Sequence, residues 1–408
     1  MKNRINKKIA IIISLILTVQ IIGLCCASAV NAGAETGNRG AANTAARTTA
    51  GKSVISWIND KIYYATYNRS RWLYELMTAA GYEVNANKNN GPAIFGQALS
   101  YGIVDHYGSE DILQPPDRRF VCSTLVRALG YPSRDVGYLA DVKADEGYMS
   151  TAAYFGYFIP DYNNMLHPDK AVTIAEYDSL LTELKRYHTL KGKRALSFGD
   201  SIMYGTGNDG EGMGEMTAIK YGMTCTDYAV PGATLGESKD RGHIPDQIRR
   251  AHTQKKTADV IFLNGGTNDM NHTAFGSLTK GFDMEKTSEK EYTGGFERTL
   301  WMLGKYWKDA PVIYVRAHNM DLGEDARERK YGERAMEIAL KWNISAVDLY
   351  NDSDLNTEDP AICNRYTYVN PSSNYTCDSI HPNAIGYAKF YLPPIADNLD
   401  KLFEKETR

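Results

Sequence analysis

From Lys191 onward, short apolar runs alternate with helical patterns, and this alternation restricts the possible folds more than any other feature of the chain. Continuous apolar runs of this length are typical of buried parallel strands. They cover Ala195–Phe198, Asp259–Asn264, Pro311–Arg316 and Ser345–Leu349. Helical patterns cover Phe296–Trp307, Ala326–Trp342 and Asn383–Lys405, the last interrupted at Pro393-Pro394. The pattern predicts a doubly wound α/β fold with a parallel sheet, whose functional residues gather at the carboxyl ends of the strands.

Four short motifs follow one another in this region. They are Gly199-Asp200-Ser201, Gly232, Gly266-Thr267-Asn268-Asp269 and Asp378-Ser379-Ile380-His381. Two of them come directly after predicted strands, so we expect Ser201 and Asn268 at the carboxyl edge of the sheet. Each motif alone is common by chance, but together and in this order they supply a nucleophile, oxyanion donors and a base with an acidic partner.

The motifs contain the groups that acyl transfer by a serine requires. A serine hydroxyl is a weak nucleophile, so it needs a neighbouring base and donors that stabilise the oxyanion it creates. We assign Ser201 as the nucleophile, His381 as the base and Asp378 as the group that orients the imidazole and stabilises its charged form. The oxyanion hole would combine the backbone N–H groups of Ser201 and Gly232 with the side-chain amide of Asn268.

Plainer interpretations exist for each position. His381 could be an ordinary loop histidine, Gly232 an ordinary turn residue and Asn268 a cap at the end of a strand. Against this, His381 alone among the eight histidines has such an acidic partner after the other motifs. Asp200 and Asp269 flank the site, and we interpret them as structural hydrogen-bonding residues.

In their order, the four motifs resemble the sequence blocks of the SGNH/GDSL hydrolases, and the resemblance covers roughly residues 190–406. It implies a flavodoxin-like hydrolase domain over residues 190–408 and a serine esterase that works through an acyl-enzyme without cofactor or metal. The resemblance favours removal of acetyl groups from polysaccharide or cell-wall glycan. Lipase, lysophospholipase or thioesterase activity is the enzymatic alternative, and a non-catalytic surface-binding protein is the alternative from another class.

Two further motifs suggest ligands but fit them poorly. Residues 205–210 match G-x-G-x-x-G, yet a nucleotide site would leave the later motifs unexplained. Asp352-x-Asp354-x-Asn356 resembles the start of a calcium loop, but Thr357 replaces its glycine and Cys363 its final glutamate. We interpret the second as a solvated acidic loop and expect no metal.

The first 32 residues have the organisation of a signal peptide. Four basic residues within residues 2–8 precede an apolar run from Ile9 to Leu24, and small-residue cleavage sites follow at Ala27-Ser28-Ala29 and at residues 30–32. A retained membrane anchor is the alternative, although the run is short for a spanning helix. Removing residues 1–32 would change the formal net charge from -3 to -7, which disfavours nucleic-acid binding. We expect a secreted or cell-surface protein.

Between the leader and the hydrolase, the sequence predicts a linker and a helical repeat. Residues 33–52 are rich in small polar residues and predict a flexible linker. Within residues 53–188, polar helix starts recur about fifty residues apart, at Asn68-Arg69, Asp117-Arg118 and Thr173-Ile174. This repeat resembles S-layer homology modules, which implies a small all-α domain whose Arg69 and Arg118 bind a cell-wall polymer of a Gram-positive-type envelope. Because Ile174 replaces the third arginine, a module that only braces the esterase is the alternative.

The mature chain would keep four cysteines, at positions 122, 225, 363 and 377. Export permits disulfides. Cys363 and Cys377 bracket a loop just before Asp378, and a bond between them would fix the ends of that loop. The pairing does not follow from sequence, and four unpaired thiols are the alternative.

Overall fold

A computed structural model describes residues 67–370 and 376–403. The expected signal peptide, the linker and the beginning of the repeat region therefore lie outside the described residues. Within the described ranges, no helix combines the length and apolar character needed to cross a membrane.

A five-stranded parallel sheet forms the centre of the second half of the chain. Its strands are β1 (Arg194–Phe198), β2 (Thr224–Asp227), β3 (Val260–Leu263), β4 (Val312–Arg316) and β5 (Ser345–Asp348). The spatial order β2-β1-β3-β4-β5 is the flavodoxin-type order, so the predicted α/β class with a parallel sheet is confirmed. Sequence analysis missed β2, because this edge strand is polar and partly exposed and has no continuous apolar run.

Helices connect the strands of the sheet and follow the last of them. They are α6 (Ser201–Tyr204), α7 (Met213–Lys220), α8 (Ile244–Thr253), α9 (Asp269–His272), α10 (Tyr292–Tyr306), α11 (Asp325–Lys341), α12 (Leu349–Asp352), α13 (Pro360–Tyr366), α14 (Ala384–Gly386) and α15 (Leu392–Phe403). In β3, Val260 and Phe262 face one hydrophobic cluster whereas Ile261 and Leu263 face another. Burial on both faces explains why the strands are apolar throughout rather than alternating.

The C-terminal helical run differs from its prediction in one detail. Rather than breaking at Pro393-Pro394, it passes through a π-helical turn, Tyr387–Tyr391, and continues directly into α15. The two prolines lie at the second and third positions of α15, directly after the π-helical turn, and the chain stays helical from Ala384 to Phe403. Proline removes a backbone donor from the helix, and the π-helical turn is the change in hydrogen bonding seen at this point.

The region before β1 is helical in the described residues. It contains α1 (Arg69–Ala80), α2 (Gly91–Ser100), α3 (Arg118–Leu129), α4 (Gly147–Tyr154) and α5 (Ile174–Leu190). The three expected polar starts are N-caps, because the side chains of Asn68, Asp117 and Thr173 each accept a backbone N–H of the following helix. The polar helix starts are thus found where the sequence puts them, while the likeness to S-layer homology modules stays a prediction.

Packing is continuous across position 189, where the two domains are expected to meet. One hydrophobic cluster includes Phe155 and Tyr177 of the helical region together with Tyr221 and Tyr387 of the α/β region. Polar contacts cross the same boundary: Lys220 Nζ lies 2.6 Å from a carboxylate oxygen of the α5 residue Glu183. The helical region and the α/β region therefore share a core.

Candidate active site

Ser201 lies at the carboxyl end of the central strand β1, at the first position of α6. The chain turns sharply here: a Cβ on Gly199 would come within 2.7 Å of the Met203 side chain and 3.0 Å of the Asn264 carbonyl oxygen, so only glycine fits. Asp200 caps the new helix through a 2.9 Å hydrogen bond from Ile202 N–H. Ser201 itself is 8 % exposed, which leaves its hydroxyl at the edge of the sheet rather than inside the core.

Ser201, His381 and Asp378 form one hydrogen-bonded chain. Ser201 Oγ lies 2.8 Å from His381 Nε2, and His381 Nδ1 lies 2.6 Å from Asp378 Oδ2. Both distances are within hydrogen-bond range. The structure therefore brings together the three side chains assigned from sequence, in the geometry that lets His381 take a proton from Ser201.

The acidic partner and the base lie on a two-stranded antiparallel hairpin outside the main sheet. Its strands are β6 (Thr367–Asn370) and β7 (Thr376–Pro382). Asp378 Oδ1 accepts the backbone N–H of Ile380 at 3.1 Å and that of His381 at 2.9 Å, while Asp378 Oδ2 meets the imidazole. The spacing of three residues thus closes into a local turn. Between them, Ser379 has a φ of 64°, which is uncommon for a residue with a side chain.

A disulfide and a hydrogen bond hold this turn in place. The structure joins Cys363 of α13 to Cys377 of β7 by a disulfide with a Cα–Cα distance of 5.7 Å. The hydroxyl of Thr357 donates to the Ser379 carbonyl oxygen at 2.9 Å. Among the described residues, the other two cysteines, Cys122 and Cys225, are free thiols.

The Asp378 carboxyl stays ionised in this setting. Burial alone would raise its pKa, but the hydrogen bonds from the imidazole and backbone of His381 outweigh burial and hold the pKa below its ordinary value. A carboxylate of this kind orients the imidazole and stabilises the imidazolium that forms during catalysis.

The loop that carries Gly232 lies next to the turn of Ser201, since Val230 N–H donates to the Gly199 carbonyl oxygen at 3.1 Å. Gly232 has a φ of 79°, a conformation that favours glycine. Asn268 follows β3 by a short loop, and its Nδ2 donates to the Ala233 carbonyl oxygen at 3.1 Å. That bond ties the Asn268 side chain to the Gly232 loop and uses one of its two Nδ2 hydrogens, so the oxyanion role of Asn268 stays a prediction.

Asp200 and Asp269 are fully buried and play the structural parts expected of them. Burial raises the pKa of Asp200 to about 6 and the pKa of Asp269 to about 7. Asp269 accepts the backbone N–H groups of Leu235 and Gly236 at 2.9 and 2.8 Å, which fixes the loop that begins at Gly232.

His318 is a site residue that sequence analysis missed. It is fully buried just beyond β4, and a 2.7 Å hydrogen bond joins its Nδ1 to the hydroxyl of Tyr391. Burial lowers its pKa to about 4, so the ring is neutral, and its surroundings include Asp378, Ser379 and His381. Its position after a predicted strand was the only hint in the sequence. Only the fold shows that His318 lies behind the turn formed by residues 378–381, called here the catalytic turn.

Contacts from the helical region to the loop after the nucleophile were also missed. Glu211 accepts Arg134 Nε at 2.8 Å and the Tyr154 hydroxyl at 2.8 Å, and Asn208 Nδ2 donates to the same hydroxyl at 2.7 Å. Gly207 in this loop lies against the backbone of the catalytic strand, since a Cβ there would be 2.7 Å from the His381 carbonyl oxygen. The G-x-G-x-x-G segment is thus a turn that packs beside the triad.

The two arginines assigned to polymer binding are engaged within the helical region. Arg69 lies 2.9 Å from Asp111 and 2.8 Å from Asp117. Arg118 lies 2.5 Å from Glu176 and donates to the Leu166 carbonyl oxygen at 2.7 Å. In the part of the chain that the structure describes, no group of three or more His, Cys, Asp or Glu side chains could hold a metal ion.

Comparison with known proteins gives one family. Residues 197–389 match the model of the GDSL-like Lipase/Acylhydrolase family, a range that contains all four motifs. No curated protein matches the chain significantly.

Similar solved structures include a protein from Lactobacillus plantarum, at 19% identity and a TM-score of 0.41, covering 53% of this chain and 98% of that one. A carbohydrate esterase family 2 enzyme plus carbohydrate binding domain from Corynascus thermopiles (Myceliophthora fergusii) has 18% identity and a TM-score of 0.36, with 52% and 67% covered. A carbohydrate acetylesterase from Sinorhizobium meliloti has 13% identity and a TM-score of 0.35, with 52% and 100% covered. The family match over the four motifs, joined to the Ser201–His381–Asp378 geometry, supports a serine ester hydrolase of the GDSL/SGNH lipase-acylhydrolase family.

Proposed function

We propose that the chain is a secreted or cell-surface esterase that removes acetyl groups from a polysaccharide or cell-wall glycan. The observation that carries the ester chemistry is the hydrogen-bonded chain from Ser201 through His381 to Asp378. Asn268, which is tied to the loop of Gly232, supplies an uncharged donor beside it.

The reaction would proceed in two halves. Ser201 Oγ attacks the ester carbonyl carbon while His381 Nε2 takes the hydroxyl proton, and the N–H groups of Ser201, Gly232 and Asn268 stabilise the oxyanion. Collapse of this intermediate breaks the bond to the alcohol, which leaves with the proton from His381. Water then attacks the acyl-enzyme, gives its proton to His381, and the second collapse releases the carboxylic acid and returns the proton to Ser201.

Acetyl as the acyl group is supported by the resemblance of the four motifs to the SGNH/GDSL hydrolases, small members of which remove acetyl groups from polysaccharides.

Export is supported by the leader-like N-terminus and by the disulfide beside the catalytic turn. Disulfides such as Cys363–Cys377 persist outside the reducing cytosol. An extracellular esterase with no nucleic-acid partner agrees with the net charge of -7 expected once residues 1–32 are removed.

For the helical region, we propose that it braces the esterase. Arg69 and Arg118 are each paired with carboxylates, so neither has a free guanidinium with which to bind an acidic polymer. Arg134 and Tyr154 instead hold Glu211, in the loop after the nucleophile. Cosedimentation of the whole secreted protein with purified cell-wall sacculi tests the anchoring alternative, because binding that weakens with salt would favour it.

An acyl chain-length series tests the proposed function. We expect the secreted protein to hydrolyse p-nitrophenyl acetate faster than the butyryl ester and much faster than the octanoyl ester, and to release acetate from acetylated polysaccharide. The Ser201→Ala variant is the control and should be inactive. Preference for octanoyl or thioester substrates would assign the chain to the lipase or thioesterase alternative, and no Ser201-dependent hydrolysis would favour a non-catalytic surface protein.

A further inference from the structure

Arg241 lies directly beside the oxyanion-hole glycine. Its Nη1 would be 3.1 Å from a Cβ placed on Gly232, so the guanidinium packs against the backbone of that residue. Backbone bonds on either side fix this arrangement: Thr234 N–H donates to the Gly242 carbonyl oxygen and Ile244 N–H to the Thr234 carbonyl oxygen, both at 2.9 Å. The loop that carries Arg241 is therefore joined to the loop that carries Gly232.

The Arg241 side chain is exposed and forms no ion pair with a described carboxylate. Within residues 67–370 and 376–403, no carboxylate lies within 4.0 Å of it and no hydrogen bond to it is formed, whereas Arg69, Arg118 and Arg134 are all paired. The adjacent Asp240 accepts the Ser238 hydroxyl at 2.9 Å instead. An arginine without a partner can offer its five N–H donors to a ligand.

We propose that Arg241 binds a carboxylate of the substrate close to the ester that is cleaved, so that the substrate is an acetylated glycan rich in acidic sugars. This inference rests on the proposed esterase function and names the substrate class of the same site. A guanidinium forms two parallel hydrogen bonds with a carboxylate, which gives geometric selectivity as well as attraction. A carboxylate on the acetylated sugar or on its neighbour would meet Arg241 while the ester carbonyl oxygen enters the oxyanion hole.

Arg241 would then act as a specificity residue rather than as part of the acyl-transfer machinery. The triad and the donors of the oxyanion hole do not include it, so a neutral ester should be cleaved without its help. The charge attracts an anionic substrate both during approach and in the bound complex, and such attraction weakens with ionic strength.

The test compares two esters of nearly equal size that differ in charge, 4-acetoxybenzoate and 4-acetoxybenzamide. We expect Arg241→Met to lower kcat/KM about tenfold for the anionic ester and less than about twofold for the neutral one, as one charge pair near a protein surface can provide. Arg241→Lys should keep part of the preference. The matched control is Lys308→Met, which removes an exposed positive charge just before β4, at the opposite edge of the sheet, and should change neither ester.

Salt and natural substrates sharpen the result. The preference of the wild type for the anionic ester should shrink between about 20 mM and about 0.5 M salt. Acetate release from acetylated polygalacturonate should depend on Arg241, and release from acetylated neutral xylan should not. Equal losses on both esters, or no loss on either, would overturn the inference while the esterase function stands. If the wild type and Ser201→Ala hydrolyse the neutral ester equally, the proposed function itself has failed.

Discussion

The nucleophile and the base of this site are held by two different kinds of structure. Ser201 follows β1, the strand of the main sheet that pairs with both β2 and β3, and buried Asp200 caps the helix that it begins. His381 lies on a small hairpin outside that sheet, whose catalytic turn is held by the Cys363–Cys377 bond and by Thr357. The position of Ser201 thus depends on the common core, whereas the position of His381 depends on a few local contacts.

This difference implies that the two halves of the site can be disturbed separately. Loss of the local contacts should misplace His381 while the sheet remains folded, because small elements open at lower free energy than the core. Loss of contacts around Ser201 should affect stability and turnover together.

The largest losses of turnover should be equal for the nucleophile and for the base. Ser201→Ala and His381→Ala should each lower turnover by about 10⁴-fold or more, and the double variant should lose little beyond the worse single variant, because the two residues act as one unit. Steady-state kinetics with p-nitrophenyl acetate measures this. Losses that multiply in the double variant would contradict a shared step.

Removing the oxyanion donor should have the next largest effect. Asn268→Ala should lower turnover by about 10²- to 10³-fold with little change in KM, because its donor matters most once the oxyanion has formed. The matched control is Asn271→Ala, an exposed position at which turnover should be unchanged. An effect on KM alone would count against the oxyanion role.

Cutting the disulfide should disturb the base side first. In the chain-entropy model a closed loop of about 15 residues stabilises a fold by up to ~3 kcal/mol. The experiment uses a Cys122→Ser, Cys225→Ser background, in which reduction can act only on Cys363–Cys377. Activity should fall on reduction while the far-UV circular dichroism of the sheet and helices persists. Four free thiols in the unreduced wild-type protein without residues 1–32 would show that the bond does not form.

A contact on the nucleophile side should have a smaller effect. Glu211→Gln weakens the partly buried pair with Arg134, which should lower the free energy of unfolding by about 1–2 kcal/mol. Turnover should fall by about tenfold at most, since the loop of residues 205–212 packs beside His381. Exposed Glu237→Gln is the control. A fall in stability with unchanged turnover would mean that the helical region braces the fold but not the site.

The last prediction concerns the pH dependence of stability rather than turnover. Burial raises the pKa of Asp269 to about 7. The stability it contributes is therefore fully present below its unfolded pKa near 4 and is lost as pH rises through about 7. Thermal unfolding between about pH 4 and pH 8 should show a flatter pH dependence for Asp269→Asn than for the wild type. An unchanged slope would show that the Asp269 carboxyl is already ionised at low pH.

The same contrast between core and local contacts explains which features could be predicted from the sequence. Strands β1, β3, β4 and β5 could be predicted because burial on both faces requires continuous apolar runs, and Ser201 and Asn268 follow two of these strands directly. Asp378 and His381 could be identified by their spacing, which closes into one turn.

The missed features depend on contacts between distant segments. The antiparallel hairpin β6–β7 has no strong strand pattern, and β2 is polar. Two contacts can be seen only in the folded chain. They are the packing of His318 near the Asp378–His381 turn and the hydrogen bond from Arg134 to Glu211. The pairing of Arg69 and Arg118 with carboxylates is likewise a tertiary feature, which helix-start motifs do not reveal.

Covalent trapping of the nucleophile tests the central claim most directly. A fluorophosphonate reacts with a serine only when a neighbouring base activates it, so intact mass spectrometry followed by peptide mapping should find one adduct, on Ser201. His381→Ala should react far more slowly, although its Ser201 is unchanged. An adduct on another residue, or labelling of Ser201 at the same rate in the wild type and His381→Ala, would contradict the assignment of the site.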